Sequence, residues 1–171
     1  SGEDQTGVSL MVMERGLDSG PVIAMRAMPI APEDTTESLT EKLGRLGADL
    51  LIDEIGGYLD GSIVPEAQPE TGVTFARPMR KGDGEVDWTD SSDAVERHIR
   101  AMWPWPRAWS RLGEQTVQIH RAEVVESARQ STRPTGTVFI VNGEAEVACG
   151  TGTIRLATGQ FPGKAAVAAR S

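Results

Sequence analysis

In 171 residues the sequence holds one cysteine, one asparagine, one tyrosine and two histidines. The single cysteine, Cys149, excludes an internal disulfide framework and a cysteine-rich zinc site. With only His98 and His120 to join it, no metal-ligand spacing arises and no metal is expected. No Walker A loop and no GxGxxG string is present. No apolar run approaches the ~18 residues of a membrane span, and no charged-then-apolar leader opens the chain. What remains is 39% apolar, enough for a core and too much for a disordered chain.

Charge is scarce in one sense and unevenly spread. The net charge is −8, which at first argues against a nucleic-acid partner. Residues 1–75 carry four basic residues against 14 acidic ones, a net of −10. Residues 76–171 carry 13 basic against 11 acidic, a net of +2. A change of charge character at mid-chain suggests two units.

Two apolar runs, Val8–Met13 and Val22–Met28, flank the turn signal Gly16-Leu17-Asp18-Ser19-Gly20. Runs this continuous predict strands covered on both faces. A helix is expected from Asp34-Thr35-Thr36-Glu37, with Asp34 as the cap and Glu37 completing a capping box. Leu39, Leu43, Leu46, Leu50 and Ile55 give its stripe, and Asp60-Gly61 stops it. One helix cannot cover both faces of such a pair. The first part is therefore expected to belong to a larger sheet, and to associate with another chain or rearrange. Residues 62–85, with Pro65, Pro69 and Pro78, predict a linker with one extended piece at Val73–Ala76.

A second helix is predicted from Ser91 to Met102, capped by Asp90, tied by Asp93/Arg97 and Glu96/Arg100 pairs and ended by Pro104 and Pro106. From there the period becomes two. Thr116–Arg121, Val138–Val141, Glu146–Ala148 and Thr153–Ala157 read as strands, with Asn142-Gly143 as a hairpin turn. Short strands with regular turns predict a small antiparallel barrel or sandwich.

Among candidate chemical residues, Asp18 stands out because a glycine-flanked turn at a sheet rim exposes backbone amides and holds a carboxylate there. Read from the turn alone, a solvated hairpin Asp competes with that role. Trp103, Trp105 and Trp109 suit a rigid plug between helix and barrel better than a stacking platform. His98 reads as packed, His120 as solvated on a polar strand face, and Cys149 as core. Arg77, Arg80, Lys81, Arg97, Arg100, Arg107, Arg111 and Arg121, with Arg129, Arg133 and Lys164 in expected loops, suit either a phosphate-facing surface or a mixed-charge solvated face.

Six motifs in one order match a known pattern. They are Thr6–Met11 with Gly16–Pro21, Asp34-Thr35-Thr36 to Leu43, Thr74-Phe75-Ala76, Val86-Asp87-Trp88, Ile99-Arg100-Ala101 running into Pro104-Trp105-Pro106, and Gly159–Lys164. Together they resemble the folate-dependent formyltransferases, and among these the methionyl-tRNA formyltransferases, across essentially the whole chain. The resemblance implies an α/β remnant of a Rossmann-like catalytic domain at 1–61, a linker at 62–85 and an OB-like antiparallel β-barrel at 86–171. It implies transfer of a formyl group from 10-formyltetrahydrofolate to the methionyl amine of initiator tRNA, without metal, in the cytoplasm.

Asp18 matches the family's catalytic aspartate, and the loop Met13, Glu14, Arg15, Gly16, Leu17, Asp18 matches its pterin-binding loop. The family's catalytic asparagine and histidine precede the first residue here. Asn142 is the only asparagine, and both histidines lie in the second half. A missing N-terminal catalytic segment is therefore an expected partner, and the chain alone is expected to show little activity. Two other readings stand beside this one: an amino-sugar-nucleotide formyltransferase, and a non-catalytic tRNA-binding barrel.

Overall fold

The computed structural model describes residues 2–126 and 132–169. Arg129 lies outside them. The chain divides into two compact units, residues 3–77 and 78–171.

The first unit is an antiparallel ribbon on one helix. β1 (Gln5–Met11) pairs with β2 (Val22–Pro29) from Gln5↔Pro29 to Leu10↔Ala24, and the register shifts before Met11↔Val22. α1 (Thr36–Asp60) packs against both strands. Burial alternates along the ribbon: Thr6, Val8, Leu10, Ala24, Arg26 and Met28 are half-buried, whereas Ser9, Met25 and Ala27 are exposed. Coverage on both faces is therefore not found among the described residues; Met25 is 72% exposed. The apolar runs misled because alternate positions hold small or flexible apolar side chains rather than polar ones. The ribbon is ordered, not rearranged. It is antiparallel, so no parallel Rossmann-type strand pair occurs among the described residues.

α1 begins one residue later than the sequence suggested. Thr35 is the N-cap, accepting from the Ser38 backbone N–H at 3.2 Å, while the Thr35 N–H donates to Ser38 Oγ at 3.1 Å. Ser38, not Glu37, thus completes the box. Asp34 is freed for another task. Nearly fully buried, its carboxylate accepts from Ala31 N–H at 2.9 Å and from Ser38 Oγ at 2.7 Å, and pairs with Lys42 Nζ at 2.6 Å. These donors hold its pKa down at about 2. Gly47 lies over Val8, and Gly61 ends the helix in the left-handed region at φ 81°. Among the described residues of this unit, Leu50 is the only buried large apolar residue.

Val73–Ala76 forms no strand. The connector instead makes a single antiparallel bridge, Val22↔Glu66.

The second unit holds the larger core. α2 (Ser92–Ala101) is capped by Ser91, whose side chain accepts from Ala94 N–H, so Asp90 is not the cap. The Glu96–Arg100 pair forms at 2.6 Å. Six strands follow: β3 (Ala108–Leu112), β4 (Gln115–Glu126), β5 (Val138–Val141), β6 (Glu144–Ala148), β7 (Thr153–Gln160) and β8 (Val167–Ala168). They pair antiparallel in the order β3-β4-β7-β6-β5, with β8 on β7. Asn142 (φ 52°) and Gly143 (φ 81°) make the expected two-residue turn between β5 and β6. Val95 and Ile99 of α2 pack with Ile119, Val147, Cys149 and Ile154 in one cluster.

The sheet is not closed by strand pairing among the described residues, so the pairing does not by itself establish the expected OB-like barrel. β3 and β5 end the sheet without pairing to each other among the described residues. Strand alternation specifies which face is apolar, not whether the first and last strands meet. An apolar cavity of about 220 Å³ opens in this unit, lined in part by Trp88, Val117, Val138, Ile140 and Leu156.

Candidate active-site loop

The ten residues between β1 and β2 carry the candidate site. Its neck is closed by Val12 N–H donating to Pro21 C=O at 2.9 Å. Gly20 is buried there, and a Cβ built on it falls 1.7 Å from the Val12 carbonyl oxygen. No larger residue fits without moving the backbone. Met13–Ser19 bulge outward, all exposed. Among the described residues, no partner is seen for the backbone N–H groups of Met13 to Ser19.

Asp18 sits at the exposed crest with φ 51°. A left-handed conformation costs a non-glycine residue about 1 kcal/mol, and Asp is among the residues that tolerate it. The structure therefore brings all six expected loop residues, Met13, Glu14, Arg15, Gly16, Leu17 and Asp18, onto one exposed strip. Exposed backbone donors, with the carboxylate of Asp18 at the crest and that of Glu14 earlier in the loop, suit recognition of a polar heterocycle with amide-like edges, and orientation of a proton-bearing group.

One contributor was not legible as functional. Gln68, in the stretch expected to be linker, donates its Nε2 to the Asp18 carbonyl at 2.9 Å and to the Gly20 carbonyl at 2.7 Å. Beside it, Glu66 and Val22 exchange backbone hydrogen bonds at 2.7 and 2.8 Å. A Gln-Pro pair in a proline-rich stretch carries no periodic signal. The nearest hint is Pro69, which holds Gln68 extended.

The second unit's candidates fall elsewhere. Cys149 is 1% exposed and burial pushes its thiol up to about 11, as befits core. His98 is half-buried. His120 is not solvated: it is half-buried, its ring is 5.1 Å from that of Trp103, and its Nε2 lies 3.5 Å from Gln118 Oε1. Burial and the nearby Arg107 both lower its pKa. Trp103 thus packs as a plug residue, with the Arg107 guanidinium 5.4 Å from its ring. Trp105 is 52% exposed, and Trp109 lies in β3, donating Nε1 to the Lys81 carbonyl. Among the described residues, no group of three or more His, Cys, Asp or Glu side chains could hold a metal ion.

With this geometry the comparisons are decisive. A model of the formyl transferase C-terminal domain matches residues 78–171, and a formyl transferase model matches residues 1–55. The chain belongs to the formyl transferase family. A curated relative from Myxococcus xanthus, a methionyl-tRNA formyltransferase, is 42% identical over 164 residues, covering 95% of this chain and 51% of the relative. The chain spans about half the length of the curated relatives it matches.

Among solved structures, HypX from Aquifex aeolicus in complex with tetrahydrofolic acid aligns with TM-score 0.69 at 20% identity. That alignment covers 99% of this chain and 30% of HypX. An N-formyltransferase from Helicobacter canadensis, with folinic acid and dTDP-3-aminofucose, aligns with TM-score 0.69 at 16% identity, covering 93% and 56%. At such identities these two show the formyl transferase fold alone.

Proposed function

We propose that this chain supplies the Asp18 loop and the C-terminal domain of an enzyme that transfers a formyl group from 10-formyltetrahydrofolate to the methionyl amine of initiator tRNA. The observation that carries this reading is the 42% identity to a methionyl-tRNA formyltransferase over 95% of the chain, with Asp18 exposed within its matching loop. The open backbone amides of residues 13–19 fit the edge of a pterin, which offers complementary acceptors.

In the reaction the amine nitrogen attacks the formyl carbon, a C–N bond forms, and a tetrahedral oxyanion results. Its collapse breaks the bond to the folate nitrogen, which takes up the proton that the amine loses. The Asp18 carboxylate orients the proton-carrying partner during this transfer. The histidine and asparagine that the resemblance assigns upstream stabilise the oxyanion. The partners are then the folate, the methionyl-tRNA and the upstream catalytic segment. No helix among the described residues is long and apolar enough to cross a membrane. An enzyme using these substrates works in the cytoplasm.

The test joins this chain to the upstream half of the Myxococcus xanthus relative and measures formylation of methionyl-tRNA beside that of an amino-sugar nucleotide. The tRNA is the expected acceptor, and Asp18→Asn lowers kcat by about 100-fold or more, the range of a lost proton-transfer group. Full activity of the Asn variant, or preference for the sugar, would sink the reading.

A further inference from the structure

We propose that Gln68 is a positioning residue for the active-site loop, so that the connector after α1 is part of the formyl-transfer site. The inference rests on the reading of Asp18 as catalytic and extends it to a residue outside the loop.

The geometry is specific. The Gln68 carboxamide nitrogen reaches two carbonyl oxygens, those of Asp18 and Gly20, at 2.9 and 2.7 Å. A carboxamide NH2 has two protons, one for each oxygen, and its own oxygen could serve neither. The two carbonyls belong to the Asp18–Ser19 and Gly20–Pro21 peptides, so a single side chain holds two of the three peptide planes between Asp18 and Pro21. Met11 Sδ, at the end of β1, lies 3.9 Å from the same nitrogen. Gln68 therefore ties together the last residue of β1, the crest of the loop and its neck.

The clamp has work to do. Asp18 is held with φ 51°, a conformation a free loop would leave. The loop's own main chain supplies one tie at the neck, Val12 to Pro21, and none between residues 13 and 19 among the described residues. Gln68 is itself anchored: Glu66, two residues earlier, is bridged to Val22 by two backbone hydrogen bonds. Pro69 restricts the Gln68 backbone to extended conformations. The anchor, the reach and the donor chemistry converge on the peptide groups that set the direction of the Asp18 carboxylate.

Two measurements test this. In the 171-residue chain, amide hydrogen exchange is compared between wild type, Gln68→Ala and Gln68→Glu. Both variants are expected to speed exchange of the Val12 and Val22 amides, the hydrogen-bonded N–H groups of the loop neck, while α1 keeps its protection. The Glu variant matters because an ionised carboxylate keeps the size of the side chain yet has no proton to donate, and so cannot restore the clamp. In the joined enzyme described above, both variants are expected to lower kcat by about tenfold to a hundredfold, the cost of a small displacement of a catalytic group. KM for methionyl-tRNA is expected to stay within about twofold, since the residue touches the loop and not the acceptor; a structural defect would move both. Unchanged neck exchange, a wild-type kcat in Gln68→Ala, or full rescue by Glu would each overturn the proposal. Faster neck exchange together with a fully active Asp18→Asn would instead overturn the catalytic reading of the loop, leaving the clamp itself intact.

Discussion

Asp34 illustrates how a residue can be read correctly as important and wrongly in role. Its place before a helix suggested a cap, yet the cap is Thr35, because a Thr-x-x-Ser box satisfies the first-turn amides without it. The buried Asp34 carboxylate instead gathers Ala31, Ser38 and Lys42, which lower its pKa from 3.8 to about 2. A carboxylate depressed in the folded state stabilises above its unfolded pKa, and that contribution fades as pH falls through the folded value. Thermal melts should therefore show the first unit losing stability between about pH 4 and pH 2. Asp34→Asn should flatten that interval, and an unchanged acid limb would refute the assignment. His120 failed at the same scale for a different reason. Strand alternation put it on the polar face, where the Trp103 ring packs beside it and the residue is half-buried. Gln68 was illegible because its partners are backbone carbonyls about fifty positions earlier.

Among elements, those whose signals are local were legible. β1, β2, α1, α2 and the β5–β6 turn follow from apolar runs, caps and an Asn-Gly pair. β3 was missed because Ala108–Leu112 reads as the tail of a tryptophan cluster, and its strand character comes from pairing with Gln115–Ile119. β8 is two residues long and exists only through β7. α1 offers a clean test of a local signal. Thr35→Ala removes the hydroxyl that accepts from Ser38 N–H and should lower the stability of the first unit by about 1 kcal/mol, as cap deletions do. Urea denaturation followed through helix signal measures it, and no loss would mean that Asp34 holds the helix start unaided.

At the scale of the molecule, the change of charge at mid-chain falls near the boundary between the two units, whereas the short strands and regular turns suggested a closure that the strand pairing does not show. Closure depends on whether β3 and β5 meet, and no residue pattern within either strand encodes that. The turn that ends β5 carries a consequence of a chemical kind. Asn142 is the only asparagine, and Gly143 follows it with no side chain to shield its amide nitrogen. That nitrogen can close on the Asn142 side-chain carbonyl, expel ammonia and leave, after hydrolysis, an aspartate or an isoaspartate. The molecule thus has a single site of spontaneous ageing by this route. On prolonged storage at mildly alkaline pH, one new negative charge should accumulate on the tight turn; its appearance elsewhere, or an unaged turn in a protein that gains charge, would contradict this. The isoaspartate form lengthens the main chain by one atom inside a two-residue turn, so the Val141↔Glu144 pair would be the first contact of the sheet to record the age of the protein.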